Sequence, residues 1–247
     1  MAVFPMCPAC AAEYRDPADR RFHAQPDACP DCGPRVWLAD AGGEAVAHPG
    51  EDAIAAASRL LDQGRILAIK GIGGFPLACD ACNGEAVTRL RRRKRRFHKP
   101  FALMARDLEV VRRYVAVDMP GKELLHSAAA PVVLLPVDGA ERVAADVAPG
   151  QDNLGFMLPY SPLHHLLLAD WQALRPGTPL VMTSGNLTEE PIAKNNDEAL
   201  QRLADLGIRA SIEHRPPAVP GDSPDVMAIL LTRTRQDPAA KLGDQGY

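Results

Sequence analysis

"RILAIKGIGGFPLACDACNGEAVTRLRRRKRRFHKPFALM", residues 65 to 104, carries the alternation on which the fold depends. "RILAIKG" is a short apolar, β-branched run of the kind that forms a buried strand. Glycines follow at 71, 73 and 74. Asn83 then offers a cap to a helix whose Ala86, Val87 and Leu90 recur at helical spacing and face inward. Pro100 is expected to stop that helix and turn the chain into the next strand, "PFALMA". Strand, helix and strand in this order predict an α/β domain built on a mixed, twisted sheet.

The alternation continues on both sides. Upstream, "EDAIAAASRLLDQG" places Ile54, Ala57, Leu60 and Leu61 on one side of a helix with Gly64 as its stop. Downstream, "DLEVVRRYV" predicts a helix, "APVVLLPV" a strand, and "SPLHHLLLADW" a helix begun by Ser161 and Pro162. "TPLVMTSGN" predicts a strand running into a small-residue turn, and "NDEALQRLADLG" a helix with a glycine stop. With 247 residues, 47% of them apolar and 24% charged, the chain suffices for one sizeable core and a small appendage. No run of about eighteen apolar residues occurs, and "MAVFPMCPAC" lacks the basic start of a secretory signal, so a cytoplasmic protein with no membrane partner is expected. The formal net charge of -3 gives no global attraction to nucleic acid. Any polyanion site must come from a local cluster.

Residues 7 to 34, "CPACAAEYRDPADRRFHAQPDACPDCGP", hold two CxxC pairs. In a reducing compartment such pairs are metal ligands or catalytic more often than bridged. Cys7, Cys10, Cys29 and Cys32 can present four thiolates to one tetrahedral zinc, the pattern of a small zinc ribbon. The segment between the pairs, with Pro17, Pro26 and many charges, has too few apolar residues for a core, so the metal would supply the folding free energy. Four thiolates leave no open position for water, which makes the zinc structural. His23 between the pairs reads as a surface or packing residue. A further pair, Cys79 and Cys82, has no partners left for a second four-cysteine site. It reads as a buried Cys79 with an incidental Cys82, beside the alternative of a redox pair near a helix start.

Three stretches carry candidate chemistry, each at a strand or helix end where α/β folds bind ligands. In "KGIGGF" the glycines permit close backbone approach and Lys70 can reach a phosphate or carboxylate, although a tight turn uses the same residues. The loop has neither the GKS or GKT ending of a P-loop nor the GxGxxG pattern. In "RLRRRKRRFHKPF" seven of the eight positions from Arg89 to Arg96 are basic, and Lys99 follows. Like charges three or four residues apart repel by a few tenths of a kcal/mol, roughly, so an uncompensated cluster suits RNA, DNA or a nucleoside triphosphate; a solvated face is the plainer reading. Lys94, Arg96 and Lys99 are expected near the sheet end, close to the glycine loop. In "TSGNLTEEPI", Thr183, Ser184 and Asn186 around Gly185 offer hydroxyls, an amide and backbone N–H groups suited to phosphate or ribose, or to a simple polar turn.

The ribbon with "EYRDPADRRFHAQPDACPDCGP", then "KGIGGFPLACDA", "RKRRFHKPFALM", "LPYSPLHHLLL" and "MTSGNLTEEPI", resembles the HypF carbamoyltransferases of nickel-iron hydrogenase maturation over roughly residues 7 to 215. The resemblance implies a four-cysteine HypF-type zinc ribbon at 1–37 and a YrdC-like domain at 48–215, the fold shared with threonylcarbamoyl-adenylate synthases. It implies use of carbamoyl phosphate and ATP, formation of carbamoyl-adenylate from carbamate, and transfer of the carbamoyl group to the C-terminal cysteine of HypE for the cyanide ligands of the hydrogenase iron. On this resemblance Lys70, Lys94, Arg96 and Lys99 hold carbamate and phosphates, Thr183, Ser184 and Asn186 contact the nucleotide, and magnesium bridges the phosphates. His164 or His165 faces the pocket or packs within its helix.

HypF proteins normally begin with an acylphosphatase domain and a first ribbon, and continue into a large carbamoyl-transfer domain. These are absent from the sequence, so a central fragment, incomplete on its own, is expected. Residues 216–247 depart from the family wording and read as a divergent, truncated or frame-shifted tail. The alternative is a YrdC-like double-stranded RNA-binding module without turnover, using the basic cluster.

Overall fold

The computed structural model of the protein describes residues 6–24, 27, 29, 32, 36–39, 52–71, 74–185 and 228–232. They fall into two compact units, one running to Val36 and taking in Thr232, the other running from Trp37 to Leu231. In the first, Pro8 opens the helix α1 (Pro8–Arg15), with Cys7 at its N-cap. Proline at the first helical position has no N–H to leave unpaired, which is why a helix starts directly after the first cysteine.

The second unit is built on a mixed sheet between two helical layers, whose first and last strands begin and end one residue outside it. Its strands are β1 (Val36–Ala39), β2 (Leu67–Ile69), β3 (Pro76–Asp80), β4 (Ala102–Met104), β5 (Val133–Pro136), β6 (Asn153–Met157), β7 (Leu180–Ser184) and β8 (Ala228–Thr232), in the order β1-β8-β2-β3-β7-β4-β6-β5. Pairing is parallel for β2 with β8 and β4 with β6. It is antiparallel for β2 with β3, β3 with β7, β4 with β7 and β5 with β6. The expected mixed sheet is therefore present. Successive side chains point to opposite faces, so Leu77, Cys79, Leu103 and Val181 join one core cluster, while Ala78, Met104, Leu180 and Met182 join the other.

Helices α2 (Ala53–Asp62) and α6 (Pro162–Leu174) cover the second of these faces through Ile54, Ala57 and Leu61, and through Leu163, Leu167 and Trp171. Helix α3 (Gly84–Arg93), the single turn α4 (Leu108–Val111) and α5 (Met119–Leu125) cover the other through Ala86, Val87, Leu90, Val110 and Leu125. The caps are local and match their sequence signals. Asn83 accepts from the Ala86 N–H at 3.0 Å, and Ser161 accepts from the His164 N–H at 3.3 Å. Gly64, at φ 75°, ends α2 as expected.

Two expectations are corrected. Helix α3 ends at Arg93, well before Pro100. Arg95 takes φ 49°, and the chain closes with the Arg95 N–H on the Arg92 carbonyl and the Arg96 N–H on the Arg91 carbonyl, both at 3.1 Å, a Schellman-type stop built without glycine. "DLEVVRRYV" is only one helical turn, after which Tyr114 is buried. Strand β6 and helix α5 were not anticipated. Of the expected tail, 228–232 are described and form β8. The expected helix "NDEALQRLADLG" lies outside the described residues.

Candidate functional site

Strand register decides which loops meet. Leu67 pairs with Ala78 and Pro76 with Ser184, so Lys70 after β2, Phe75 before β3 and Ser184 at the close of β7 share one end of the sheet. Leu103 pairs with Val181, and the segment from Lys99 to Phe101 enters β4 at that same end. The three stretches singled out in the sequence thus converge, although far apart in the chain.

At this end Gly71 and Gly74 form a bridge, with the Gly71 N–H donating to the Gly74 carbonyl at 2.7 Å and Gly74 at φ 138°, a backbone state only glycine adopts easily. Lys70 is buried, its ammonium 5.6 Å from the centre of the Phe75 ring. Gly185 is also required, because a Cβ there would be driven into the Phe75 carbonyl oxygen. Thr183 is buried beside it and Ser184 half-buried. Asn186 lies outside the described residues.

Lys94 is 2% exposed and its ammonium donates to the Ser184 carbonyl. Burial, with the nearby charge of Arg96, pushes its pKa down to about 8. Arg96 lies 5.3 Å from the Phe101 ring centre and donates to the Lys99 carbonyl at 3.0 Å and to that of Pro100. Its guanidinium is likewise disfavoured by burial and by Arg91. Lys99 is exposed.

The basic cluster is not a uniform polyanion face. Arg91, buried, donates to the carbonyls of Asp146, Val147, Arg96 and Lys99 and stacks 4.5 Å from the Phe101 ring. It is a clamp that shapes the segment carrying Arg96 and Lys99, a role that sequence alone does not signal. Arg89 donates to the Gly64 carbonyl at the end of α2. Along the outer side of α3 runs an open groove of about 580 Å³, lined by Gly84, Glu85, Thr88, Arg89, Arg92 and Arg93.

Of the two histidines, His164 points inward and is fully buried, while His165 is exposed. The Tyr160 ring packs edge-on against His164, centres 4.5 Å apart. Cys79 is buried in the core, and Cys82 is exposed with its sulfur 3.6 Å from the Tyr114 hydroxyl.

In the first unit the four ribbon cysteines come together as expected. Sulfur separations are 3.6 Å for Cys7 and Cys29, 3.8 Å for Cys29 and Cys32, and 3.6 Å for Cys32 and Cys10. A tetrahedron with zinc–sulfur bonds of about 2.3 Å has edges of about 3.8 Å, so the cage fits one zinc. Backbone N–H groups of Cys7 and Cys29 hold the Cys32 thiol down to about 6, whereas burial and the neighbouring sulfurs push Cys10 up. Four thiolates this close coexist only around a cation. His23 is exposed and packs edge-on against Tyr14 and Phe22.

The Sua5/YciO/YrdC family, described as telomere recombination, matches residues 59–229. The chain belongs to the Sua5/YciO/YrdC family. A HypF finger matches residues 6–39 and encloses all four ribbon cysteines. The carbamoyltransferase HypF of Rhodobacter capsulatus is 57% identical over 204 residues, which are 83% of this chain and 26% of that protein. HypF of Synechocystis sp. is 44% identical over 274 residues, 90% of this chain and 35% of that protein. The chain thus spans between a quarter and about a third of the length of these curated relatives. A crystal structure of full-length HypF in the phosphate- and nucleotide-bound form superposes with a TM-score of 0.74 at 44% identity, covering 96% of this chain and 27% of that one. The resemblance to HypF read from the motifs is borne out over most of the chain. So is the α/β fold of the Sua5/YciO/YrdC domain, with its four-cysteine finger. Among the described residues no helix is long and apolar enough to cross a membrane.

Proposed function

We propose that the chain is the adenylating portion of a HypF-type carbamoyltransferase, with a finger at 1–37 and a nucleotide-binding domain at 48–215, acting in the cytoplasm. One observation carries the reading: the buried ammonium of Lys94 meets the end of β7 at Ser184, where the glycine loop and the Arg96–Lys99 segment also arrive. A relative at 44% identity has been crystallised with phosphate and nucleotide bound.

In the proposed reaction a carbamate oxygen attacks the α-phosphorus of ATP. The new O–P bond forms as the bond to pyrophosphate breaks, giving carbamoyl-adenylate. This step needs positioning and charge neutralisation more than an acid-base pair. Lys70, Lys94, Arg96 and Lys99 hold carbamate and phosphate charge, and Thr183, Ser184 and Asn186 orient the nucleotide. Magnesium, entering with ATP, would offset the charge of the phosphates. Zinc at the four cysteines is structural. Carbamate would come from carbamoyl phosphate, and the carbamoyl group would go to a HypE-like acceptor in hydrogenase maturation.

The test is ATP–pyrophosphate exchange with magnesium and ammonium bicarbonate as the carbamate source. Exchange that falls at least tenfold in both Lys94→Ala and Ser184→Ala is expected. A folded, zinc-loaded protein that exchanges nothing would overturn the reading. The arginine-lined groove along α3 favours a second reading, double-stranded RNA binding without turnover. RNA affinity that drops steeply with salt and is insensitive to ATP would support it.

A further inference from the structure

The outer side of α3 is charged, and its charge is graded along the helix. The groove there has the exposed Gly84 and Glu85 at one end and the exposed Arg92 with the half-buried Arg93 at the other, Thr88 and Arg89 lying between. Arg89 is anchored by the Gly64 carbonyl, which holds its charge in place. The Thr88 hydroxyl donates to the Asp146 carboxylate at 2.5 Å, so it is spent inside the protein and leaves recognition to the charged side chains. Three arginines within five residues repel one another and favour an external anion.

The acidic end limits what that anion can be. Seven residues separate Glu85 from Arg92, about 10 Å along a helix rising 1.5 Å per residue. A duplex strand carries a phosphate about every 3.4 Å, so a nucleic acid laid along the groove sets phosphates against the Glu85 carboxylate. An extended peptide covers the same span in about three residues and can change sign on the way. The formal net charge of -3 adds no attraction for a uniform polyanion. We propose that this groove is a docking surface for an acidic protein segment, which sets carboxylates on Arg89, Arg92 and Arg93 and a basic residue beside Glu85. Arginine suits the task because its planar fork takes a carboxylate through two parallel hydrogen bonds. None of these residues is assigned to nucleotide or carbamate, so the surface stands independently of the adenylation reading.

The experiment is fluorescence anisotropy on the full chain with two labelled peptides. One is bipolar, Gly-Lys-Gly-Gly-Glu-Glu-Glu; the other is all-acidic, with glutamate in place of lysine. Wild type should bind the bipolar peptide more tightly. Arg92→Glu should weaken it about tenfold, as expected for one hydrogen bond to a charged group. Glu85→Lys should invert the preference, losing the bipolar peptide and gaining the all-acidic one. Both side chains are exposed, and unchanged circular dichroism separates loss of docking from loss of fold. ATP–pyrophosphate exchange in either variant should stay within about twofold of wild type. No peptide binding, equal affinity in Arg92→Glu, or a preference that survives Glu85→Lys overturns the proposal. A 16-base-pair RNA duplex that binds more tightly than the peptide, and is lost in Arg92→Glu, overturns it in favour of RNA. Inverted preference in a chain that exchanges nothing leaves the docking surface standing and adenylation refuted.

Discussion

Alkaline titration should weaken nucleotide binding and stabilise the empty protein, both through Lys94. With its pKa held near 8 by burial and Arg96, Lys94 is charged in about nine of ten molecules at pH 7 and in about one of ten at pH 9. A bound phosphate favours the ammonium, so the pKa rises in the complex. Between the free and bound values affinity drops about tenfold per pH unit, close to a hundredfold between pH 8 and 10 where the bound ammonium recovers its ordinary value. Stability runs the other way. The folded pKa is lower than the unfolded one, so from about pH 8 to 10.5 the unfolded chain holds more protons, and the contribution of Lys94 to stability rises through that window. Calorimetric titration of magnesium-ATP at constant ionic strength, with urea midpoints at each pH, reads both. Lys94→Met should bind weakly with no such slope. An affinity that stays flat in wild type, or a slope surviving in Lys94→Met, would refute the reasoning.

Cys29→Ser should abolish stoichiometric zinc by atomic absorption, and cobalt substitution should lose its thiolate charge-transfer band, because three sulfurs no longer complete the cage. Arg91→Met should cost about 3 kcal/mol in the urea midpoint, since several main-chain carbonyls lose a charged donor; a change below about 0.5 kcal/mol would show the clamp to be idle. Gly185→Ala should cost about 2 kcal/mol or more and weaken ATP binding, as the new methyl must displace the Phe75 carbonyl. Unaltered melting and affinity in that variant would mean the two segments part readily.

What the sequence discloses here is what short-range chemistry controls. Asn83, Ser161 and Gly64 mark helix ends by bonds within a few residues, and all three behave as expected. The end of α3 is different, because the carbonyls of Asp146 and Val147 approach Arg91 from more than fifty residues away and help fold the segment after it. Counting charge along the chain therefore overstated the polyanion face. Lys94 and Ser184 were both singled out, but the bond between them, across ninety residues, uses the serine's main-chain carbonyl, which no motif records. Strand β6 was missed because "NLGFM" is too short for a pattern and acquires its identity from neighbours on both sides.

If Lys94 holds phosphate as proposed, its tie to Ser184 also sets a threshold for what can bind. The ammonium is not idle before a ligand comes; a carbonyl dipole already occupies it. A neutral sugar or amide offers only another dipole and gains little by displacing the first. An oxygen bearing full negative charge gains much more, because charge-assisted hydrogen bonds are roughly twice as strong as neutral ones. On the proposed reading, the contact acts as a charge filter that passes phosphorylated ligands and turns away bare nucleosides of the same shape.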